Sequence, residues 1–283
     1  MNKKPDFLII GAMKCATSTL HDQLSLQPSI FMTELKEPNF FSNDEQYSKG
    51  LDWYLSHFQD AQNSDICGES STHYTKLPTY PHTVERIYQH FPDVKLIYVM
   101  RHPIDRLVSQ YIHEWTQKVI SEDINQAISK HPELIEYSLY SKQLKPYIDT
   151  FGKERILLLF FERLIDRKQE EFGKICRFIE YQQKPIWNLE ADAQNVSTER
   201  MRRNDLRDFV VEAPGIKQLR QTLIPKSWRT WVRGLWQMKQ KPELEPQNIE
   251  KLQSIFDEDL KIIGSMLDIQ LTCDSFKSTV KKM

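Results

Sequence analysis

The chain has 283 residues, and its 40% hydrophobic content is enough to bury one large core, so we predict a single domain over residues 1–283. Its 38 basic and 39 acidic residues give a formal net charge of −1, which removes the electrostatic case for a nucleic-acid binder. The sequence shows no apolar leader and no apolar run of membrane-spanning length, so we expect a cytoplasmic protein without stable membrane insertion.

The first predicted element is a strand over residues 7 to 11, which runs into a loop and a helix over about residues 16 to 27. The junction reads Gly-x-x-Lys-x-x-Thr from Gly11, with Lys14 inside the turn. Such a turn aims backbone N–H groups and a helix N-terminus at one point, which suits a bound phosphate. The nucleotide P-loop instead needs a hydroxyl directly after its lysine to bind magnesium. We therefore expect Lys14 to hold a phosphate without a metal ion, the alternative being a glycine turn with a solvated lysine.

An irregular aromatic segment follows, and then a short strand near Ile66 and a helix over about residues 79 to 91. The aromatic segment contains Phe40, Phe41, Trp53 and Tyr54. Aromatic side chains at such spacing usually pack a core, so we interpret them as walls of the domain.

A second strand-to-helix junction joins a buried strand over about residues 94 to 100 to a long helix over about residues 103 to 118. Arg101 therefore stands at the carboxyl end of a strand, and Pro103 suits the first position of the helix. Ser109 lies two turns farther on, where it can share an anion with Arg101. A structural ion pair between Arg101 and Asp105 is the alternative.

The remaining predicted elements are a strand over residues 155 to 161, a helix over about 167 to 181 and a terminal helix over about 247 to 266. Strands that alternate with helices predict an α/β fold with a central parallel sheet flanked by helices. Both phosphate motifs should then lie at the carboxyl ends of the strands. The chain from about residue 205 to 283 is expected to be a helical portion of the same domain.

A Trp-rich stretch lies in that helical portion, where Trp228, Trp231 and Leu235 recur at helical spacing. Packing on the core is the simplest interpretation. An acceptor lid or a weak contact with a membrane surface is the alternative.

The two junctions and their spacing resemble the sulfotransferases that use 3′-phosphoadenosine 5′-phosphosulfate (PAPS) and release adenosine 3′,5′-bisphosphate (PAP). The resemblance implies a P-loop-like first junction that holds the 5′-phosphosulfate and a second junction that holds the 3′-phosphate. The implied nucleotide-binding residues are Lys14, Cys15, Ala16, Thr17, Ser18 and Thr19 in the first junction, Arg101 and Ser109 in the second, and Ser197, Thr198, Arg200 and Arg202 in a later loop.

The stretch Lys36-Glu-Pro-Asn-Phe-Phe41 is similar to the sulfotransferases and sulfotransferase domains that act on heparan sulfate. In those enzymes the glutamate before the Phe-Phe pair is the catalytic base, which corresponds to Glu37 here. Lys14 would then stabilise the leaving phosphate, and the sulfuryl group would pass in line to the acceptor without a metal ion. Alternative bases are His73, His102 and His113.

The acceptor side is implied less directly. We expect it to include Phe41, Glu69, His73 and Tyr74, although Glu69 could instead be paired structurally. Ser70 stands where the heparan enzymes carry a lysine. We therefore expect a small polar metabolite as acceptor, at a hydroxyl or an amino group, as in secondary metabolism. A polysaccharide or lipid acceptor is the second hypothesis, and a P-loop-type nucleotide kinase or a non-catalytic nucleotide-binding protein is a distant alternative.

The four cysteines, at positions 15, 67, 176 and 273, show no Cys-x-x-Cys spacing, which indicates neither a zinc site nor a disulfide framework. Cys15 lies inside the first loop, where a helix N-terminus would lower the pKa of its thiol. It has no evident His or Asp partner in the sequence, so we interpret it as a small loop residue rather than a nucleophile.

Overall fold

A computed structural model describes residues 3–189 and 242–283 of the chain. The predictions for the later loop, with Ser197, Thr198, Arg200 and Arg202, and for the Trp-rich stretch lie outside the described residues and stay predictions. The single-domain assignment over residues 1–283 likewise stays a prediction.

Five strands within the described ranges form one parallel sheet in the order β2-β3-β1-β4-β5. They are β1 (Phe7–Gly11), β2 (Ile30–Met32), β3 (Ile66–Ser70), β4 (Lys95–Met100) and β5 (Ile156–Phe160). Every residue of β1 is buried, as are all but the first of β4, which is typical of strands covered on both faces. The predicted parallel α/β architecture is therefore confirmed.

Helices flank this sheet. They are α1 (Thr17–Ser25), α2 (Asp44–Tyr47), α3 (Leu51–Ser56), α4 (Thr83–His90), α5 (Pro103–Thr116), α6 (Ile124–Lys130), α7 (Glu133–Glu136), α8 (Tyr140–Phe151), α9 (Phe161–Asp166), α10 (Lys168–Phe178), α11 (Pro246–Leu267) and α12 (Phe276–Lys282). Short 3-10 turns span Thr72–Thr75 and Lys153–Arg155. No helix among them is both long and apolar enough to cross a bilayer.

The strand order reverses direction between β1 and β4, because the chain places β3 and β2 on one side of β1 and β4 and β5 on the other. In open α/β sheets the crevice at such a reversal, outside the carboxyl ends of the strands, is where ligands bind. The loops that leave β1 and β4 are the two predicted phosphate motifs. The sheet therefore brings them to the same crevice.

The aromatic segment packs as the predicted wall beside this crevice. Phe40 stacks on Tyr54 with ring centroids 4.9 Å apart, and Phe41 meets Tyr54 edge-on at 5.0 Å. All three rings are buried. The segment is not irregular throughout, however, since it contains β2, α2 and α3. These elements have three to six residues each, which is too short for a period of 2 or 3.6 to show in the sequence.

Candidate active site

The loop after β1 has a shape that few residues tolerate. A Cβ on Gly11 would lie 2.0 Å from Thr75 Oγ1 and 2.9 Å from the Tyr98 ring, so only glycine fits there. Lys14 and Ala16 both adopt left-handed backbone conformations, with φ of 69° and 63°. Non-glycine residues held in this region concentrate at ligand sites, because the surrounding structure must over-determine them.

Ala16 is the N-cap of α1, and no side chain in the described ranges caps this helix. The first N–H groups of a helix have no intrahelical partner, so those of α1 are directed to the mouth of the loop. Ser18 is exposed and Thr19 half-buried beside them, whereas Thr17 is buried. Uncapped N–H groups, a lysine and two accessible hydroxyl side chains suit an anion such as a phosphosulfate.

Cys15 does not have the predicted environment. Its thiol is fully buried, and burial raises the thiol pKa to about 12, although the nearby charges of Arg106 and Arg101 act in the opposite direction. Its N–H donates to Ala12 O at 3.2 Å. The expectation of a lowered pKa is therefore corrected, since the side chain between the two left-handed neighbours is buried in the core. The predicted contact of Cys15 with the nucleotide stays a prediction.

Arg101 lies at the carboxyl end of β4, as predicted, and reaches the first loop. Its Nη1 donates to the carbonyl oxygen of Lys14 at 3.2 Å, and its guanidinium lies 4.5 Å from the centre of the Phe161 ring. The alternative of an ion pair with Asp105 is not found in the described chain, where the Asp105 carboxylate is 2.6 Å from Lys277 Nζ instead. A guanidinium has five N–H donors, so most of them are left for a ligand.

The backbone of this second junction is held from several sides. The Tyr140 hydroxyl donates to Arg101 O at 2.5 Å and accepts from Arg101 N at 3.2 Å. Glu162 Oε1 accepts the His102 N–H at 2.9 Å, and His102 Nδ1 caps α5 by accepting from Asp105 N at 3.4 Å. Ser109 lies two turns into α5 and is half-buried; its predicted contact with the nucleotide stays a prediction.

Glu37 lies at the same edge of the sheet. Its N–H donates to Ser70 O at the end of β3 at 3.0 Å, and its backbone is left-handed, with φ of 53°. Its carboxylate is half-buried and accepts a hydrogen bond from Thr72 Oγ1 at 3.2 Å. Glu37 is thus anchored on a left-handed backbone at the sheet edge that carries the first junction. Its role as the base stays a prediction.

Three of the four predicted acceptor contacts lie inside the protein. Glu69, Tyr74 and Phe41 are 0%, 1% and 0% exposed. The Glu69 carboxylate accepts from Tyr54 at 3.3 Å, from Tyr74 at 3.0 Å and from Ser71 at 2.5 Å. The prediction that these three side chains contact the acceptor is corrected to a structural role, which is the alternative that the sequence left open for Glu69.

The buried Glu69 carboxyl predicts a pH dependence of stability. Burial raises its pKa to about 7, and the Ser71 and tyrosine hydroxyls only partly oppose that rise. The native state thus keeps a proton that the unfolded chain releases above its ordinary pKa of 4.5, so stability falls as pH rises through about 7. Glu69→Gln, which cannot ionise, should gain melting temperature relative to the parent between about pH 4 and pH 8. A difference in melting temperature that stays constant with pH would contradict this assignment.

The alternative bases are less suited than Glu37. Burial lowers the pKa of His73 to about 4, and its ring stacks on Tyr80 with centroids 4.9 Å apart, so it is a weak proton acceptor near neutral pH. Both ring nitrogens of His102 are engaged, Nδ1 as the cap of α5 and Nε2 with Cys273 O at 2.9 Å. His113 lies in the last turn of α5.

Lys76 is a candidate that sequence reasoning missed. It follows the 3-10 turn that carries Thr72, and its side chain is nine-tenths buried, with Nζ 5.7 Å from the centre of the Tyr137 ring. Burial lowers the pKa of its ammonium to about 8, while the charges of Glu37 and Glu114 favour the charged form. A buried lysine whose pKa is shifted by a nearby carboxylate is a candidate for a functional site. Nothing in the sequence distinguishes Lys76 from the other lysines.

Helix α5 carries a second buried polar group close to this lysine. Arg106 Nη2 donates to Gln110 Oε1 at 2.7 Å, and Gln110 Nε2 donates to Glu114 Oε1 at 2.6 Å. Arg106 and Gln110 are fully buried, and Glu114 Oε2 has no hydrogen-bond partner among the residues that the structure describes. The three residues recur at i, i+4 and i+8, so they lie on one face of the helix. The sequence spacing does not tell whether that face is buried.

No group of three or more His, Cys, Asp or Glu side chains in the parts of the chain that the structure describes is arranged to hold a metal ion. The expectation that no metal takes part stays a prediction.

Comparison with known proteins identifies the family to which the chain is similar. The model of the sulfotransferase domain matches residues 4–264. The human heparan sulfate glucosamine 3-O-sulfotransferase 5 is 27% identical over 188 residues, which cover 62% of this chain and 53% of that protein. A membrane-associated sulfotransferase of Dictyostelium discoideum is 33% identical over 110 residues, 38% of this chain and 22% of that one. The chain spans about half the length of the heparan sulfate relatives that it matches.

Solved structures show the same fold. A sulfotransferase from Alicyclobacillus acidocaldarius has a TM-score of 0.68 at 23% identity, covering 95% of this chain and 98% of that one. A mouse sulfotransferase in complex with PAP has a TM-score of 0.50 at 14% identity, covering 92% of this chain and 85% of that one. At these identities the likeness is one of architecture.

Proposed function

This chain belongs to the sulfotransferase domain family, and we propose that it transfers the sulfuryl group of PAPS directly to a hydroxyl or amino group of a small polar acceptor. The observation that carries the proposal is the meeting of three segments at one sheet edge. Arg101 bonds the carbonyl oxygen of Lys14, and Glu37 is anchored on the neighbouring strand end.

The chemistry divides between these residues. The first loop and α1 bind the phosphosulfate, and Arg101 binds the 3′-phosphate. As the acceptor atom bonds to sulfur, the bond from sulfur to the phosphate oxygen breaks, and negative charge builds on that oxygen. Lys14 stabilises this charge, while Glu37 takes the proton that the acceptor loses. Atoms and charge then balance without a covalent enzyme intermediate or a metal ion.

The charged groups near Glu37 favour an oxygen-rich acceptor. Lys76 supplies three N–H donors beside Glu37, and the unpartnered Glu114 Oε2 offers an acceptor for a hydroxyl or amino group. A polysaccharide is the second candidate, since relatives at 27% identity are heparan sulfate glucosamine 3-O-sulfotransferases. Transfer of labelled sulfate from PAPS to a panel of small metabolites and to desulfated heparan sulfate separates the two.

The donor assignment is tested by nucleotide binding. PAP should bind more tightly than adenosine 5′-phosphate, which lacks the 3′-phosphate. Arg101→Ala should weaken PAP binding by about 10- to 100-fold, because a charge-assisted phosphate contact is lost. Adenosine 5′-phosphate should lose only a few-fold, through the missing bond to Lys14 O. Titration calorimetry measures both constants. Equal affinity of the parent for the two nucleotides, or an equal loss for both in the variant, would mean that the second junction does not read the 3′-phosphate.

A further inference from the structure

The last residues of the described chain contact the second phosphate junction, although the matched domain ends at residue 264. Helix α12 packs on α9, and the segment before it runs past the start of α5. We call residues 273–282 the C-terminal segment.

Three contacts join this segment to the residues that follow Arg101. Because His102 Nδ1 accepts from the Asp105 N–H, its Nε2 carries the ring proton and donates to Cys273 O at 2.9 Å. The Phe276 ring meets the His102 ring edge-on, with centroids 5.8 Å apart. Lys277 Nζ lies 2.6 Å from Asp105 Oδ2. One imidazole thus ties the N-cap of α5 to the C-terminal segment.

The segment also fixes the other side of Arg101. Phe276 packs on Phe160 at the end of β5, at 5.7 Å between centroids. The next residue, Phe161, lies under the Arg101 guanidinium. Arg163, buried on α9, donates to Val280 O at 3.3 Å, which holds α9 and α12 together. Residues 273–282 therefore contact both the residues that follow Arg101 and the strand end next to Phe161, whose ring lies under the guanidinium.

We propose that the C-terminal segment is a positioning element of the nucleotide site, acting through His102 and Asp105 to set the Arg101 guanidinium for the 3′-phosphate. The proposal rests on the donor assignment made above. Its residues touch the junction rather than the nucleotide, so Lys277 and Phe276 are positioning residues. Their loss should change recognition of the 3′-phosphate selectively.

The test is the ratio of the affinities for PAP and adenosine 5′-phosphate, measured by calorimetry. Lys277→Met, at a half-exposed ion pair, should lower that ratio about three- to fivefold. His102→Asn keeps a residue that caps helices well but is too short to reach Cys273 O, and should lower the ratio by about fivefold or more. Lys277→Arg, which keeps the positive charge, should retain the parent's affinity ratio. Lys281→Met is the matched control, because Lys281 on the same helix pairs with Asp166 instead.

Two outcomes would overturn the proposal. One is that Lys277→Met or His102→Asn weakens both nucleotides equally or neither. The other is that Lys277→Met combined with Asp105→Asn, which keeps the parent's net charge, restores the ratio, since the effect would then come from charge and not from position. A parent chain that does not discriminate between the two nucleotides rejects the donor assignment itself, a result distinct from either of these.

Discussion

Replacing Glu37 by glutamine is expected to lower the turnover of sulfuryl transfer by about 10²-fold or more while leaving the affinity for PAP unchanged. Glutamine keeps the shape and can still accept the hydrogen bond from Thr72, but its amide cannot take the acceptor's proton. In the proposed mechanism Glu37 serves the acceptor and not the donor, so PAP binding should not be affected. Single-turnover kinetics with labelled PAPS and calorimetry with PAP measure the two quantities.

A matched control for this variant is Glu34→Gln, at an exposed position three residues earlier on the same segment. It should retain full turnover. Melting temperatures of both variants must stay close to that of the parent, since the experiment compares folded proteins. Near-parental turnover of Glu37→Gln with an unactivated hydroxyl acceptor would exclude Glu37 as the base.

Replacing Lys14 by alanine is expected to reduce both turnover and donor affinity. Loss of a preorganised group that stabilises developing charge lowers turnover by about 10²- to 10³-fold, and loss of its contact with the phosphosulfate weakens PAPS binding as well. Lys14→Arg keeps the positive charge but changes the shape of the side chain. Compared with Lys14→Ala, it should therefore recover donor affinity more fully than turnover. Rapid-quench kinetics at saturating PAPS separate the two effects.

One outcome would contradict the role predicted for Lys14 in the transition state. If Lys14→Ala kept parental turnover at saturating PAPS and lost only affinity, the lysine would bind the donor in the ground state without stabilising the transition state. Lys36→Ala is the control, because Lys36 lies near the crevice but pairs with Asp22 at 3.6 Å. It should change neither quantity by more than a few-fold.

The sequence could predict the two phosphate junctions because each follows a strand whose residues are buried, apart from the first residue of β4. The run Phe7–Gly11 and residues 96–100 of β4 are continuous apolar stretches, and Pro103 marks the first turn of α5. Parallel pairing of adjacent strands then places their carboxyl ends together. The prediction that both junctions share a crevice is thus a consequence of local patterns and one topological rule.

Side-chain direction could not be predicted in the same way. Cys15 was expected to face the helix N-terminus, but its direction depends on the left-handed conformations of Lys14 and Ala16, which the sequence does not signal at non-glycine residues. The resemblance implies acceptor contacts for Tyr74 and Glu69, but both side chains are buried. Their burial depends on hydroxyl groups that reach Glu69 from two different segments.

Contacts between residues far apart in the sequence could not be predicted either. Lys76 comes beside Glu37 only because the 3-10 turn after β3 folds under the segment that follows β2. His102 and Cys273 are 171 residues apart, and no periodicity links them. Such contacts are set by tertiary packing, which overrides local preference.

The bond from the Arg101 guanidinium to the carbonyl oxygen of Lys14 involves protein atoms alone, and Tyr140 and Glu162 lock the backbone beside it. The two halves of the proposed donor site are therefore joined without any contribution from the acceptor. Such a site favours a kinetic order in which PAPS can bind first to the free enzyme, with little chain entropy lost on docking. Acceptor choice and donor capture can then diverge independently in evolution, because different loops of the same sheet edge carry them.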